Sequence, residues 1–450
     1  MTQLKFYSGL REIGGTFVEV ETETTKCMFD FGFAVASRMD EKMRMRPQCA
    51  AADYVTLGIL PAAAGSFDKK TAEKLGNPAF GELEKECFFV ISHMHIDHMG
   101  GLGMLDPGIP VYMSADSLKL YRCMAADKDV QYPGEHKNCI GIPYGESFTV
   151  GDITVTVLAI DHDVVGASGF LIQTPSGQIC YTGDYRFHGF HPERTESFAQ
   201  RAAGSDVLIT EGVTVSYDDV DMLALEEPTE PSRTEETLQE EIRQVCSEQS
   251  GLIVINTYPR NVERMYRMIE SCAQEGRTLV LDAMQAEYVS AFYAVVDDAV
   301  YEETWHFGKA ERGLTSDEGL EVEKEGGWTL VSRAELLENP GKYVLQLFYE
   351  DFYELIDLKD VVSLYIHADG APLGDYDPSF AKMKATLETL DIPYEYKGTG
   401  GHAKPWYLRH MVDTIAPKKL IPLHSFRPEQ VMSEKAGERI LPAYGDVVIL

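Results

Sequence analysis

The 450-residue sequence lacks the features typical of disulfide-stabilised, secreted or membrane-spanning proteins. Its eight cysteines include no C-x-x-C pair, which argues against a disulfide framework and a cysteine-rich zinc module. It has no run of about 18 apolar residues, and its N-terminus, MTQLKFYSGLREIGG, lacks the basic segment and apolar core of a secretory signal. We therefore expect a cytoplasmic protein with reduced thiols and no membrane partner.

Positive charge is also scarce, since 40 Lys and Arg face 72 Asp and Glu and leave a net charge of -32. Binding of phosphate groups draws on clustered Lys and Arg, so a polyanionic partner requires a locally basic region. One segment offers a local charge of +4, because it holds six basic residues against Asp413 and Glu429. The six are Lys397, Lys404, Arg409, Lys418, Lys419 and Arg427.

The composition and length of the chain fit a soluble globular protein with two domains. Up to residue 212, short apolar segments broken by Gly and Asp predict β-sheets. Beyond an acidic stretch, residues 213–395 alternate strand and helix patterns, which predicts an inserted α/β domain with a small parallel sheet whose first helix is capped by Ser232 or Thr234. Residues 396–450 return to the first domain and end in the apolar strand DVVIL.

Three of the twelve histidines lie in one six-residue stretch, HMHIDH, directly after the apolar segment CFFVIS. Residues two apart on an extended segment share a face, so His93 and His95 can address one metal ion. Asp97 and His98, in the turn before a Gly-Gly pair, can address a second position. Imidazole and carboxylate are ligands that zinc prefers. A chance cluster of surface histidines is the alternative, and the position after a buried strand argues against it.

Further candidate ligands directly follow other apolar strands. His162 comes after ITVTVLAID, Asp184 after GQICYTG, and His424 after PKKLIPL. Each zinc ion needs about four ligands, which is more than one loop can supply, so we expect these residues to complete a dinuclear site. Taken alone, Asp184 could equally be a turn residue or a helix cap.

These motifs, in this order, resemble the metallo-β-lactamase fold. The stretch SHMHIDHMGG is similar to the H-x-H-x-D-H signature of that superfamily. Asp30 in MFDFG, His162 in DHDVVGASGF and Asp184 in YTGDYRF fall where the superfamily places its remaining motifs. The resemblance implies an α/β fold in which a metallo-β-lactamase αββα sandwich is interrupted by an inserted domain.

The later motifs resemble the β-CASP nucleases within that superfamily. Glu211 in LITEG, His402 in TGGHA and His424 in IPLHSFRPE are similar to their three extra motifs. The overall likeness is to the ribonuclease J family and includes REIGGTFVEVE near the start and NTYPRNVERM in the inserted segment. This implies a β-CASP-type inserted α/β domain and hydrolysis of phosphodiester bonds, with single-stranded RNA as the partner because histidine at position 424 is typical of RNA-processing members.

The resemblance assigns the metal ligands and the chemistry. It implies two zinc ions, with manganese as the alternative, and three groups of ligands: His93, His95 and His162 for one ion, Asp97, His98 and His424 for the other, and Asp184 as the bridge. Such a pair lowers the pKa of a shared water, supplies a metal-bridged hydroxide at neutral pH and stabilises the transition state. Asp97 and Asp184 are thus catalytic as well as metal-binding, and Asp30 is implied to orient a ligand histidine.

The resemblance also implies that His402 contacts the scissile phosphate or protonates the leaving oxygen, with Glu211 supporting it. The alternative for His402 is a cap of the helix that starts near Pro405, where free backbone N–H groups would also favour a phosphate.

Four residues are candidates for substrate binding. Lys404 lies close to His402 in the sequence, and Arg260, Asn261 and Arg264 lie in NTYPRNVERM. The last three could equally form a solvated helix start.

Three features depart from ribonuclease J. The chain ends soon after His424, so we expect the C-terminal domain that the family uses for oligomerisation to be missing, and an oligomer remains open. Gly400 stands where the family tends to have serine. The net charge of -32 is unusually acidic for an enzyme that acts on RNA.

Two other functions compete with an RNA nuclease. The same dinuclear core can hydrolyse a small phosphodiester, lactone or thioester, and an acidic protein suits a small substrate. A degenerate member that serves as a scaffold would be expected to lose metal ligands, whereas every expected ligand is present here. A flavodiiron oxidoreductase is disfavoured because no flavin module follows the core.

Overall fold

The computed structural model describes residues 1–33, 46, 49–126, 134–229, 233–293, 299–301, 328–375 and 377–450. The chain divides into two compact units, the first formed by residues 1–232 and 401–450 and the second by residues 233–400. Within the described ranges, no helix combines the length and apolar character needed to cross a membrane.

The boundaries of the insertion differ from those predicted. The sequence placed them at 213 and 395, whereas the second unit runs from 233 to 400. Residues that follow 213 belong to the first unit because they pack into it: Val215 and Met222 are buried in one of its cores, and the Gln430 side chain accepts a hydrogen bond from the Val220 amide at 2.6 Å. The acidic residues of this stretch are mostly exposed. Its composition therefore did not indicate that Val215 and Met222 are buried.

Two seven-stranded sheets form the first unit, with strands and helices numbered along the whole chain. The first sheet contains β1 (Gln3–Ser8), β2 (Phe17–Glu21), β3 (Thr25–Phe29), β4 (Glu86–Val90), β5 (Val111–Ser114), β6 (Cys139–Ile142) and β21 (Val447–Ile449). The second contains β7 (Ser147–Val150), β8 (Ile153–Ala159), β9 (Ser168–Thr174), β10 (Gly177–Tyr181), β11 (Val207–Thr210), β19 (Lys419–Pro422) and β20 (Glu438–Arg439). The strand orders are β21-β1-β2-β3-β4-β5-β6 and β20-β19-β11-β10-β9-β8-β7. The strand predicted from DVVIL is β21, which pairs with β1.

The helices of the first unit are α1 (Ala50–Thr56), α2 (Lys69–Leu75), α3 (Ile96–Met99), α4 (Ala115–Ala126), α5 (Pro192–Arg201) and α12 (Pro405–Ile415). The two sheets share one hydrophobic core, to which Phe6 and Phe29 of the first sheet and Val157 and Ile209 of the second contribute. Full burial of each such side chain stabilises the fold by about 1.5–3 kcal/mol. On the outer face of the second sheet, α5 and α12 pack into a further core, and α4 lies against β5 and β6. The predicted αββα sandwich is confirmed.

The second unit is built on one seven-stranded sheet, in the order β15-β14-β13-β16-β12-β17-β18. Its strands are β12 (Leu252–Thr257), β13 (Thr278–Leu281), β14 (Ala299–Tyr301), β15 (Thr329–Val331), β16 (Tyr343–Gln346), β17 (Val362–Ala368) and β18 (Tyr394–Tyr396). Its helices are α6 (Glu235–Glu248), α7 (Val262–Gln274), α8 (Ala283–Phe292), α9 (Arg333–Glu338), α10 (Leu355–Leu358) and α11 (Pro378–Thr389). Neighbouring strands run parallel throughout, as the alternation of strands and helices predicts.

The first helix of the second unit begins at a capping box. Thr234 is the N-cap of α6, and its side chain accepts a hydrogen bond from the Thr237 amide at 3.1 Å. The Thr237 hydroxyl in turn accepts one from the Thr234 amide at 2.8 Å. Thr234 is therefore the cap that the sequence offered, and Ser232 lies outside the described residues.

Several strands of the first unit end at the same edges of its two sheets. Strand β3 runs parallel to β4, and β11 runs parallel to both β10 and β19. Strand β8 is antiparallel to β9, which is antiparallel to β10, so β8 and β10 also end at one edge. Predicted ligands follow β4, β8, β10 and β19, while Asp30 and Glu211 follow β3 and β11. The shared edges explain how distant parts of the sequence converge.

Candidate metal centre

The HMHIDH turn is fixed by two loops, one that follows β3 and one between β1 and β2. The Phe31 amide donates to the carbonyl of His98 at 2.7 Å, and the Gly15 amide donates to the carbonyl of Asp97 at 3.0 Å. A Cβ on Gly32 would lie only 1.8 Å from the backbone carbonyl carbon of Asp97. Position 32 therefore requires glycine, because the loop and the turn approach each other at backbone distance.

The first group of potential ligands comes from three loops. His93, His95, His162 and Asp184 offer ligand atoms that all lie within 4.8 Å of one another. Nε2 of His162 lies 3.3 Å from Nδ1 of His95, and Nε2 of His93 lies 3.7 Å from Oδ2 of Asp184. Two nitrogen atoms 3.3 Å apart are spaced as ligands about 2.0–2.1 Å from one zinc ion would be.

The second group consists of Asp97, His98 and His424, again within 4.8 Å of one another. Nε2 of His98 lies 3.2 Å from Oδ2 of Asp184, and Nε2 of His424 lies 3.3 Å from the same oxygen. Oδ2 of Asp97 lies 3.6 Å from Nε2 of His424. Asp184 Oδ2 thus stands between the two groups, which is the position that a bridging carboxylate requires.

The donor atoms have the chemistry of a metal site. Nε2 of His93, His98 and His424 and Oδ2 of Asp184 are buried, and none of them has a hydrogen-bond partner among the described residues. Each such buried group costs about 1–3 kcal/mol, a cost that coordination of a cation would remove. Burial lowers the pKa of His162 to about 3 and lowers the pKa of His93 well below its ordinary value. Both imidazoles are therefore neutral, which is the metal-binding form, and the donor set fits a pair of metal ions.

Asp30 orients His98, a member of the second ligand group, through a hydrogen bond. His98 donates from Nδ1 to Oδ2 of Asp30 at 2.7 Å, which leaves Nε2 for a metal. The Ser92 amide donates to Oδ1 of Asp30 at 2.7 Å, and the Tyr181 hydroxyl also donates to this carboxylate. Asp30 has a φ of +56°, a left-handed conformation that short polar residues tolerate. The sequence did not indicate Ser92 and Tyr181, because each is an ordinary strand-end residue until the fold brings it to Asp30.

Three other candidate ligand histidines also have partners at Nδ1. His162 donates from Nδ1 to the Gly401 carbonyl at 2.6 Å, and Nδ1 of His93 lies 2.9 Å from the Ser92 hydroxyl. Nδ1 of His424 accepts a hydrogen bond from the Gly14 amide at 3.1 Å and lies 3.2 Å from the Thr16 hydroxyl. In the tautomer that accepts from Gly14 the proton is on Nε2; binding of a metal through Nε2 would instead require the proton on Nδ1, where it is donated to Thr16 and the bond from Gly14 is lost.

His402 and Glu211 form an ion pair beside these ligands. Nδ1 of His402 lies 3.0 Å from Oε2 of Glu211 and 3.8 Å from Oδ2 of Asp184. Burial opposes a charge on His402, but the charge of Glu211 and its hydrogen bond raise the pKa of His402 to about 10. Glu211 is itself fixed, because the Tyr185 amide donates to its Oε1 at 3.0 Å. The pair places a protonated imidazole at the candidate centre.

His402 does not cap the helix that follows it. Helix α12 has Lys404 at its N-cap position, without a side-chain cap, and Pro405 in its first turn. The position predicted for Pro405 is confirmed, and the capping interpretation of His402 is wrong because its ring is bonded to Glu211 instead.

The predicted basic region is dispersed in the structure. Lys418 and Lys419 stand where β19 begins, whereas His424 follows its other end, and Lys418 pairs with Asp206 at 2.7 Å. The Arg409 guanidinium donates to backbone carbonyl groups, among them that of Met222 at 2.6 Å. The charge count along the sequence did not indicate this separation. Strand β19 places Lys418 and Lys419 at one end and His424 at the other. Of the six basic residues, Lys404 lies nearest in the chain to His402, two residues after it.

The residues predicted in NTYPRNVERM belong to a buried polar network of the second unit. Arg264 is fully buried; its Nη2 lies 2.7 Å from Oε1 of Glu235 and 3.0 Å from Oδ2 of Asp369. Asn261 caps α7 and donates to Oε1 of Glu235 at 3.1 Å, and Arg260 is also buried. The predicted phosphate contact of Arg264 is thus corrected to a structural ion pair, because its guanidinium has no exposed surface.

One carboxylate near the first group was not predicted. Oδ1 of Asp163 lies 3.2 Å from Nε2 of His95 and 3.3 Å from Nε2 of His162. It is buried and has no hydrogen-bond partner among the described residues. The signal was present in the sequence DHD, where His162 has aspartate on both sides, but nothing in the spacing selects Asp163 over Asp161.

Parts of the chain are similar to known proteins. Residues 73–239 match the family model described as the β-lactamase superfamily domain. Ribonuclease J of Pyrococcus abyssi (strain GE5 / Orsay) is 22% identical over 288 residues, which cover 62% of this chain and 59% of that protein. Ribonuclease J 1 of Streptococcus pyogenes serotype M3 is 26% identical over 201 residues, which cover 44% of this chain and 34% of that protein. The chain therefore matches from about a third to three fifths of the length of these relatives.

A solved structure covers the entire chain. It is described as a protein of unknown function from Enterococcus faecalis V583 and is 28% identical, with a TM-score of 0.81 and coverage of 100% of both chains. Both compact units of this chain therefore lie within the range that the two proteins share. These matches show that residues 73–239 form a β-lactamase superfamily domain and that the ribonuclease J enzymes are homologues of this chain.

Proposed function

We propose that this protein is a metal-dependent hydrolase that cleaves phosphodiester bonds in single-stranded RNA. The observation that carries the proposal is the convergence of two ligand groups on Asp184 Oδ2 beside a protonated His402. The relatives named ribonuclease J support RNA as the substrate. Zinc is the ion that we propose, because imidazole and carboxylate are ligands it prefers, and manganese is the alternative.

A pair of divalent ions, when bound, would supply Lewis-acid stabilisation of the phosphoryl oxygens and lower the pKa of a water at neutral pH. The chain's own residues determine where this chemistry occurs. His93, His95 and His162 would hold one ion, and Asp97, His98 and His424 the other. Asp184 would contact both, since its Oδ2 lies 3.2 Å and 3.3 Å from two histidines of the second group and 3.7 Å from one of the first.

His402 and Glu211 provide the second part of the proposed chemistry. Because Nδ1 of His402 is bonded to Glu211, Nε2–H remains as the donor for a phosphate oxygen or for the leaving oxygen. The raised pKa keeps this ring protonated at neutral pH. A charged donor is about twice as strong as a neutral one, so Glu211 makes His402 an effective partner for a developing negative charge.

Two further assignments belong to the proposal. The inserted parallel-sheet unit would be of the β-CASP type. This assignment is supported by Glu211, His402 and His424, which resemble the three extra motifs of the β-CASP nucleases, although all three lie in the first unit. Lys404, at the N-cap position of α12 and two residues after His402, is the proposed phosphate contact on the substrate side.

A small phosphodiester is the second candidate substrate. The net charge of -32 opposes a long polyanion, and the basic residues around His424 are mostly bonded within the protein, as Arg427 is to Asp219 at 2.8 Å. The metal ligands would serve either substrate equally, so the distinction depends on substrate size.

Turnover of two substrates tests the proposal. Protein reconstituted with zinc or manganese is assayed on a 5′-labelled single-stranded RNA and on bis-p-nitrophenyl phosphate. The variants are Asp184→Ala and His402→Ala, with His410→Ala as the matched control, because His410 also pairs with a glutamate, Glu196, at 2.7 Å.

We expect RNA cleavage by the wild type and by His410→Ala, and losses of at least about 100-fold in the other two variants. If the small diester is hydrolysed while the RNA stays intact, the protein is a hydrolase of small phosphodiesters. Absence of turnover on both substrates in metal-loaded protein would contradict a phosphodiesterase.

A further inference from the structure

Asp163 extends the first ligand group beyond the residues assigned above. Its Oδ1 atom lies between two of the ligand histidines, 3.2 Å from Nε2 of His95 and 3.3 Å from Nε2 of His162. The Asp163 side chain is 14% exposed, and Oδ1 itself is buried with no hydrogen-bond partner in the described part of the chain. A buried carboxylate oxygen without a donor is costly, so its position calls for a proton donor or a cation.

The arrangement of His95 indicates a donor. Its Nδ1 atom faces the ligand group, at 3.3 Å from Nε2 of His162, and is therefore the nitrogen that would bind a metal. A neutral imidazole that binds a metal through Nδ1 carries its proton on Nε2. Nε2 of His95 lies on the side of Asp163, and the 3.2 Å distance is within reach of a hydrogen bond.

Gly401 links Asp163 to a second ligand. Its carbonyl accepts the Nδ1–H of His162 at 2.6 Å, and a Cβ at this position would lie 2.7–2.8 Å from the three carboxylate atoms of Asp163. Glycine at 401 thus allows one backbone segment to orient His162 and to leave room for the Asp163 carboxylate. Any larger residue would displace one of the two.

We propose that Asp163 is a positioning residue of the first metal site, which accepts the Nε2–H of His95 and so fixes the tautomer that presents Nδ1 to the ion. The inference rests on the dinuclear centre of the proposed function. The carboxylate also adds a negative charge close to the first ion, outside the ligand set assigned above. Removal of such a partner typically weakens metal affinity 10–100-fold.

Direct metal binding tests this role without using catalytic activity. Metal-stripped full-length protein is titrated with cobalt(II), with visible absorption and competition by a chromophoric chelator as readouts. The variants are Asp163→Ala and Asp163→Asn, since the asparagine oxygen still accepts a hydrogen bond but carries no charge. Asp152→Ala and Asp152→Asn are the controls, because Asp152 is a loop carboxylate of the same unit that accepts a hydrogen bond from Thr22.

We expect Asp163→Ala to weaken one of two cobalt sites about 10–100-fold, Asp163→Asn to recover part of that loss, and the Asp152 variants to bind as the wild type does. Affinities unchanged in both Asp163 variants would overturn the inference. Equal losses in the alanine and asparagine variants would also overturn it, because they would make Asp163 a direct ligand. If the wild type binds no cobalt at all, the proposed metal centre itself is wrong.

Gly401→Ala is an independent variant that keeps the carboxylate. The added methyl group must displace Asp163 or the carbonyl that holds His162, so we expect weakened binding at the same site with the other unchanged. Wild-type affinity at both sites in folded Gly401→Ala protein would contradict the role given to Asp163. Thermal unfolding of the metal-free variants shows whether each remains folded.

Discussion

At the scale of residues, the candidate centre depends on what each ligand histidine does with its second ring nitrogen. His98 gives a proton to Asp30, and His162 gives one to the Gly401 carbonyl. Both arrangements fix the tautomer that leaves Nε2 for a metal. His402 is held in the same way by Glu211, but it lies in an environment that keeps it charged.

Glu211→Gln tests the electrostatic role of this carboxylate. The pKa of His402 is raised to about 10, so the ring stays protonated below that pH and loses its proton as the pH rises through it. Removing the charge of Glu211 lowers this pKa. We expect the alkaline limb of the pH–rate profile to move to lower pH, and NMR titration of the His402 ring to shift in the same direction.

The control for this prediction is His402→Ala, in which that alkaline limb should disappear and the activity at neutral pH should fall. An alkaline limb at the same pH in wild type and Glu211→Gln, with an unshifted ring titration, would show that Glu211 does not set the charge of His402.

Asp30→Asn tests how the second group of ligands is oriented. Asparagine tolerates the φ of +56° at this position, but it removes the charge that accepts the Nδ1–H of His98. We expect one metal ion to bind about 10–100-fold more weakly in chelator competition. Unchanged affinity for both ions in folded Asp30→Asn protein would contradict the role given to this carboxylate.

At the scale of elements, the site is built at strand ends. Asp30 follows β3, Asp184 follows β10, and His424 follows β19. Asp30 and His424 have φ values of +56° and +52°, a conformation that costs about 1–3 kcal/mol and is concentrated at functional sites. The strands are held rigidly by the shared core, so the loops after them can maintain this strain.

Much of this element-scale order could be predicted from the sequence. Apolar runs that end in histidine or aspartate predicted seven candidate ligands, and the structure brings these seven residues together. The role of Asp163 and the bonds from Ser92 and Tyr181 to Asp30 could not be predicted, because each depends on a partner that is distant in the sequence. The boundary at residue 213 was wrong for a related reason, since burial of Val215 and Met222 appears only in the fold.

Arg264 and Glu235 join α7 to α6 in the second unit, and both side chains are fully buried. Arg264→Met leaves the Glu235 carboxylate without its main partner. We expect the free energy of unfolding to fall by about 3–5 kcal/mol, because breaking a buried ion pair leaves an uncompensated charge. Urea unfolding monitored by circular dichroism measures this loss.

The double variant Glu235→Gln/Arg264→Met is the control, since it removes both charges and should recover part of the stability. A normal unfolding midpoint in Arg264→Met together with a raised KM for RNA would contradict the structural role and restore Arg264 as a phosphate contact.

At the scale of the whole molecule, the net charge of -32 should govern the encounter with RNA. The Debye length shrinks from about 30 Å at 0.01 M salt to about 10 Å at 0.1 M, so salt screens repulsion between the protein and a polyanion. We expect kcat/KM for RNA to rise over this range, while that for bis-p-nitrophenyl phosphate changes little. A steep fall with salt would instead indicate that attractive contacts with many phosphates dominate binding.

The measurement that tests the central claim most directly combines metal binding and RNA cleavage in one titration. Metal-stripped protein receives zinc or manganese in steps while cleavage of 5′-labelled single-stranded RNA and bound metal are measured together. The two ligand groups that meet at Asp184 predict no cleavage without metal and full activity at two ions per chain. Cleavage by metal-free protein, or inactivity on RNA with two ions bound, would contradict a metal-dependent ribonuclease.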